Sequence, residues 1–323
     1  MGSEIGKMKV VFPDESTLSL NDDLDLSGFK ELGKYVGYSD LTEKEIIEKH
    51  PDTVVLIPNK VKVTSRIFES MESLQLVAEI ATGYDNVDLR AARENNVAVC
   101  NVAGYAANTV PQHTFALILN LATKAYLYHN DVMGGDWAKS NSFTLLNYPA
   151  FELNDLTIGI IGFGTIGRGV ARIAEAFGMK VLVYDIVEIT GSNYTNVDLE
   201  TILCESDVIT VHTPLVEQTR NLIDAEALEK MKPTAIIINT ARGGIVNEQA
   251  LASALNSGEI AGAGFDVLTS EPPVEGNVLL EANNVMITPH SAWSTLQARQ
   301  KLVDETIINI RSFFDGKPRN IVN

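Results

Sequence analysis

The sequence predicts an α/β protein of two domains built on parallel sheets, and three observations carry that prediction. The chain has 323 residues, more than one hydrophobic core usually supports, since single cores stop growing near roughly 250–300 residues. Short β-branched runs alternate with helix-period segments almost throughout, the signature of βαβ units. A glycine-rich motif, GFGTIG at 162–167, falls where one such run gives way to a helical pattern.

Taken in order, VVLI (54–57), LVAEI (76–80) and VAVCNV (97–102) read as buried strands. Polar segments of helical period separate them, TEKEIIEKH (42–50) and NVDLRAAREN (86–95). One long helical stretch follows, TVPQHTFALILNLATKAYLYHNDV (109–132), closed by Gly134 and Gly135. From 157 the alternation resumes with TIGII, VLVYD, VITVH, AIIIN, GAGFDV and NVMIT. No repeat of solenoid length is present.

Composition narrows the function classes. Net charge is −17, which argues against a nucleic-acid or anionic-membrane footprint, because both need clustered Lys and Arg. The longest apolar stretch, FALILNLA (115–122), is too short to span a bilayer. Cys100 and Cys204 make neither a metal-ligand spacing nor a disulfide framework, so no metal is expected and a reducing, cytoplasmic setting is. The start of the chain lacks a secretory cleavage pattern. Met1-Gly2 hints at myristoylation, but Gly6 stands where that motif needs Ser or Thr.

The glycine motif sits in a complete context. It follows TIGII, opens TIGRGVARIAEAF, and is succeeded by VLVYD, whose Asp185 lies eighteen residues beyond Gly167. Gly162 suits the tight turn, Gly164 the close approach of a pyrophosphate, and Gly167 close helix–strand packing. Phosphates favour the helix N-terminus, where unpaired N–H groups and the dipole attract anions. Asp185 is placed to accept from ribose hydroxyls. Ile186, Val187 and Glu188 offer no cation to a 2′-phosphate, so NAD is expected over NADP.

Three more strand ends carry chemistry: Arg242 in AIIINTARGG, Asp266 and Glu271 in GAGFDVLTSEPP, and His290 in VMITPHSAW. In open α/β sheets the ligand crevice lies at the carboxyl ends of the strands. Taken singly, each has a plainer role as a salt bridge, a solvated loop residue or packing. Together, beside a dinucleotide, they suit hydride transfer to a 2-oxo acid. Arg242 supplies a fork for the carboxylate, His290 a proton for the carbonyl oxygen, and Glu271 a carboxylate that favours the charged ring and fixes it.

The chain resembles the D-isomer-specific 2-hydroxyacid dehydrogenase family. The resemblance rests on ATGYDNVDL (81–89), GFGTIGRG, HTPL (212–215), NTARGG (239–244), GAGFDVLTSEP (262–272) and TPHSAW (288–293), and so covers nearly the whole chain. It implies that Arg242, Glu271 and His290 are catalytic and that backbone around Thr82 and Gly83 helps hold the substrate carboxylate. It implies cofactor contacts from Thr165, Ile166, Asp185, Thr213, Pro214, Thr240 and Asp266, besides the glycines. AANTVPQHTFALIL (106–119), NYPAFEL and TPHSAW are similar to the glycerate dehydrogenase (hydroxypyruvate reductase) branch, which would put Trp293 near the substrate. Two Rossmann-like domains are then expected, a cofactor domain at about 103–291 inserted into a substrate domain made of 1–102 and roughly 292–323. The segment 105–132 resembles the family's dimerisation arm, so a homodimer is expected. The motifs leave open D-lactate or another D-2-hydroxy acid as substrate. They also leave open a non-enzymatic NAD-sensing role like that of the family's corepressors, which keep the same three residues.

Overall fold

A computed structural model of the protein describes residues 6–187, 189, 194 and 196–323. Met1-Gly2 and Glu188, each used in the reading above, lie outside them. The chain divides into two compact units, Met1–Ala106 with Trp293–Asn323, and Ala107–Ala292.

The first unit is a five-stranded parallel sheet, β1 (Met8–Phe12), β2 (Gly33–Gly37), β3 (Val55–Leu56), β4 (Leu76–Ala78) and β5 (Ala98–Cys100), in the order β2-β1-β3-β4-β5. Alternate strand residues feed two apolar layers. Val10, Phe12, Leu76 and Ala78 face the C-terminal helix Leu296–Phe314 through Leu302, Val303, Ile307 and Ile310. Val11, Leu56, Val77 and Val99 face the opposite layer with Ile46, Ile67 and Phe68. Both faces are covered, which is why these strands read as continuous apolar runs. β1 and β2 escape the sequence reading. MKVVF directly follows a polar, glycine-containing start, and GKYVG is short and bracketed by glycines, a weak strand signal.

The second unit is a six-stranded parallel sheet, β6 (Thr157–Ile161), β7 (Lys180–Tyr184), β8 (Val208–Val211), β9 (Ile236–Asn239), β10 (Gly262–Phe265) and β11 (Val285–Ile287), ordered β11-β10-β9-β8-β6-β7. β6 lies between β7 and β8, so the strand order reverses there, and such a switch point opens a crevice beyond the strand ends. The α/β class with two parallel sheets is therefore as the alternation predicts.

The expected helix 109–132 is in fact two, Thr109–Thr123 and Ala125–Met133. Lys124 between them adopts a left-handed φ of +56°. The Phe151 N–H donates to the Ala122 carbonyl at 3.0 Å, so the returning chain takes an acceptor that a continuous helix would keep for itself. Neither Gly nor Pro marks the break. Pro111 falls in the first turn of Thr109–Thr123, where no intrahelical N–H is needed.

Candidate functional site

The glycine loop turns off β6. Gly162 has φ +92°, and a Cβ there would stand 2.7 Å from the His212 carbonyl at the end of β8. A Cβ on Gly167 would fall 2.2 Å from the Gly162 carbonyl oxygen, so only glycine lets helix Thr165–Ala176 start this close to the strand. Around Gly164, by contrast, a Cβ would meet nothing within 4 Å. Gly164 is also the N-cap and offers no side-chain acceptor, leaving the first N–H groups of the helix, at Thr165 and Ile166, to an outside anion.

Asp185, at the end of β7, reaches this loop. Its carboxylate accepts from the Phe163 N–H at 2.6 Å and the Val187 N–H at 2.9 Å. Thr213 and Pro214 follow β8 on the other side of β6. The residues at this switch point thus fit a dinucleotide: an open approach over Gly164, an uncapped helix N-terminus, and a carboxylate at the neighbouring strand end.

At the ends of β9, β10 and β11 the second half of the motif set converges. Asn239, fully buried, accepts from the Ala241 N–H and donates to the Arg242 carbonyl, folding the turn that carries Arg242. The Arg242 guanidinium donates to the Ala241 carbonyl at 2.8 Å. A Cβ at Gly243 would lie 2.1 Å from the Leu268 carbonyl, so this turn packs backbone to backbone on the loop that leads to Glu271. Thr240 is buried, its hydroxyl 3.0 Å from that of Thr114.

Glu271 joins the Arg242 side to His290. Its Oε1 accepts from the Leu268 N–H at 2.7 Å and its Oε2 lies 2.6 Å from His290 Nδ1. Both side chains are about one-third exposed, 33% for Glu271 and 32% for His290. An ionised carboxylate only accepts, so Nδ1 carries the proton shared with Glu271, and the ring's other nitrogen, Nε2, lies on the far side of the ring. His290 has a left-handed φ of +51°, a conformation that costs a Cβ-bearing residue roughly 1–2 kcal/mol and persists only where surroundings impose it.

Those surroundings include residues that the sequence reading passed over or read differently. Asp266 is 1% exposed. Its carboxylate accepts from the Thr288 hydroxyl and the Ser291 and Ala292 N–H groups, so it braces the His290 loop. Glu248, opening helix Glu248–Ser257, accepts from the Thr269 N–H and the Asn277 amide on either side of Glu271. A Glu six residues beyond the Arg242 turn resembles any helix-opening acid, and nothing in the string shows what it holds.

His212 presents the opposite case. Its Nε2 is buried with no hydrogen-bond partner, and burial pushes its pKa down to about 3, so the ring stays neutral.

The first unit carries Thr82, Gly83 and Trp293. Thr82 donates its hydroxyl to the Val102 carbonyl at 2.7 Å, and its own carbonyl accepts from the Asn101 amide at 2.7 Å, which fixes the turn after β4. Just before that turn Glu79 is 1% exposed, and desolvation raises its carboxyl well above the usual range. The Asn86 amide donates to it at 3.1 Å and to the Val61 carbonyl at 3.1 Å. Trp293 packs into the first unit's core with the Lys60 ammonium 5.6 Å from its ring centre. Among the described residues no cluster of metal-ligating side chains occurs, and no helix is long and apolar enough to cross a membrane.

Residues 115–292 match the family model described as D-isomer specific 2-hydroxyacid dehydrogenase, NAD binding domain. A glycerate dehydrogenase of Methylorubrum extorquens is 44% identical over 317 residues, 97% of this chain and 98% of its own. A hydroxypyruvate reductase of Blautia hydrogenotrophica is 37% identical over 98% of this chain and 100% of its own. Among solved structures, an acyclic imino acid reductase in complex with NADPH and D-Arg superposes with a TM-score of 0.86 at 32% identity, covering 98% of this chain and 100% of that one.

Proposed function

The chain belongs to the D-isomer specific 2-hydroxyacid dehydrogenase family, with an NAD-binding domain over 115–292, and from that premise we propose that it reduces hydroxypyruvate or glyoxylate with NADH. The observation that carries this reading is the 2.6 Å contact of His290 with Glu271, at the carboxyl ends of the same parallel sheet that carries the glycine loop. Relatives named glycerate dehydrogenase, hydroxypyruvate reductase and glyoxylate reductase support the substrate class.

NADH, when bound, supplies a hydride. It would be held by Gly162, Gly164, Thr165, Ile166 and Gly167 at the phosphates, by Asp185 at the ribose, and by Thr213, Pro214 and Thr240 along the strand ends. Arg242 takes the substrate carboxylate in a two-pronged grip, which orients the adjacent carbonyl. His290 gives the Nε2 proton to the carbonyl oxygen as the carbonyl carbon gains its hydride, so the C=O double bond becomes a C–H and an O–H. Glu271 keeps the ring turned through its 2.6 Å contact with Nδ1. We assign the substrate-binding role to the first unit, with Thr82 and Gly83 offering backbone to the carboxylate and Trp293 flanking the substrate.

A spectrophotometric panel of 2-oxo acids with NADH and NADPH tests the reading. Hydroxypyruvate and glyoxylate should lead the panel, and NADH should be favoured at least about tenfold in kcat/KM, a difference of roughly 1.4 kcal/mol. A panel led by pyruvate or an imino acid, or equal use of NADPH, sinks it. We also assign the protein to the cytoplasm, on the two free cysteines, and to a homodimer covering the apolar segment 105–132. A monomer by light scattering at micromolar concentration refutes the dimer.

A further inference from the structure

His290 sits in an imposed conformation, and the elements that impose it lead to a second histidine. The His290 N–H donates to the Asp266 carbonyl at 2.8 Å and reaches the Thr288 carbonyl at 3.0 Å. Beyond His290, the Ser291 and Ala292 N–H groups donate to the two Asp266 carboxylate oxygens, each at 2.9 Å. Before it, the Thr288 hydroxyl is 2.5 Å from Asp266 Oδ1. The chain on both sides of His290 is thus tied to one buried carboxylate.

Helix Thr109–Thr123 holds the same loop from outside. Thr109 donates its hydroxyl to the Ala292 carbonyl at 3.0 Å. One turn later His113 Nε2 lies 2.9 Å from Thr288 Oγ1 and 3.5 Å from Asp266 Oδ1. The Thr288 hydroxyl has one proton, and the carboxylate, which only accepts, takes it. Thr288 Oγ1 therefore accepts from His113, and the His113 proton is on Nε2, facing both oxygens. Residues four apart on a helix share a face, so Thr109 and His113 form one splint against the loop.

We propose that His113 is a positioning residue for the reduction: its Nε2–H fixes Thr288 and Asp266, and through them the backbone that aims the His290 ring. This rests on the reading of His290 as the proton donor. His113 needs no contact with substrate or cofactor, and its effect should appear in kcat rather than in cofactor affinity.

The test compares four variants of the full chain: His113→Gln, His113→Asn, His290→Gln and the double variant His113→Asn/His290→Gln. Glutamine carries an N–H near the reach of Nε2; asparagine is too short to meet Thr288. In hydroxypyruvate reduction His113→Asn should lose roughly tenfold in kcat, the scale of a lost positioning hydrogen bond. NADH affinity by fluorescence should stay within about twofold. His113→Gln should recover to within about threefold of the parent. In the His290→Gln background His113→Asn should cost almost nothing further, because the group it aims is gone. Equal kcat for His113→Gln and His113→Asn, or a full tenfold loss on top of His290→Gln, overturns the proposal. If His290→Gln itself keeps parental turnover, the functional reading has failed; if it loses turnover while both His113 variants keep theirs, only the present inference has.

Discussion

Two strands of the second unit end in nearly the same way and leave their histidines in opposite conditions. VITV runs into His212 at the end of β8, and VMI runs through Thr288 and Pro289 to His290 beyond β11. His212 has a buried Nε2 with no partner and stays neutral. His290 is one-third exposed, held by Glu271, and bent into the left-handed region. A strand end delivers a histidine to the crevice side of the sheet, but it does not decide what the ring does. The decision lies with the carboxylate that meets it and with how far the chain carries it from the core before stopping. Two further residues, Thr and Pro, separate the ring that Glu271 holds from the packed one.

The largest way to break this contrast is to remove the ring that has a partner. His290→Gln should cut turnover in the reduction by roughly a hundredfold or more, the usual worth of a placed general acid. NADH binding, measured by fluorescence titration, should hold, since the glycine loop and Asp185 lie on other strands. Parental turnover in His290→Gln would return this histidine to packing and erase its distinction from His212.

A smaller change sharpens the contrast by leaving the ring and removing its charge partner. Glu271→Gln keeps the size of the side chain while deleting the negative charge 2.6 Å from Nδ1. Without the carboxylate the ring loses that contact, and kcat for reduction at pH 7.5 should fall about tenfold. Parental kcat in Glu271→Gln would mean that the carboxylate holds the loop without serving the proton transfer.

How much of this was legible follows from where each instruction is stored. The parallel sheets were written locally, in apolar runs such as AIIIN and in the glycine spacing after TIGII, because a strand buried on both faces needs an unbroken apolar run. Arg242, Glu271 and His290 stood out because each lies within six residues of a strand's carboxyl end, where an open α/β sheet has its ligand crevice. The braces did not stand out. His113 reads as one polar position in an apolar helix, Asn239 as the last residue of a strand, and Asp266 as a crevice acid, with no sign that its carboxylate also ties the His290 loop. Asn239 ties its own turn through side-chain bonds that periodicity does not encode, while Asp266 and His113 gain meaning from distant partners, 175 residues away for His113 and Thr288. The break at Lys124 was hidden for the same reason, since its cause is the distant Phe151 N–H.

The smallest expected effect on turnover belongs to His212, whose contribution is read instead as stability. Burial lowers its pKa from the ordinary 6.5 to about 3. The folded protein therefore declines a proton that the unfolded chain accepts. Above pH 6.5 neither state binds it and the ring makes no pH-dependent contribution. As pH falls below 6.5 the unfolded state gains protons first, so stability drops steadily until the folded ring also titrates near pH 3. At pH 5 the deficit is on the order of 2 kcal/mol, from about 1.4 kcal/mol per pH interval below the unfolded value. His212→Leu removes the titration. Its melting temperature should fall less than the parent's between pH 7 and pH 5, while hydroxypyruvate turnover at pH 7.5 stays within a few-fold. Parallel melting curves across that range would show that the ring already finds a proton partner when folded. A collapse in turnover would show instead that the histidine beyond β8 shares the chemistry assigned to the one beyond β11.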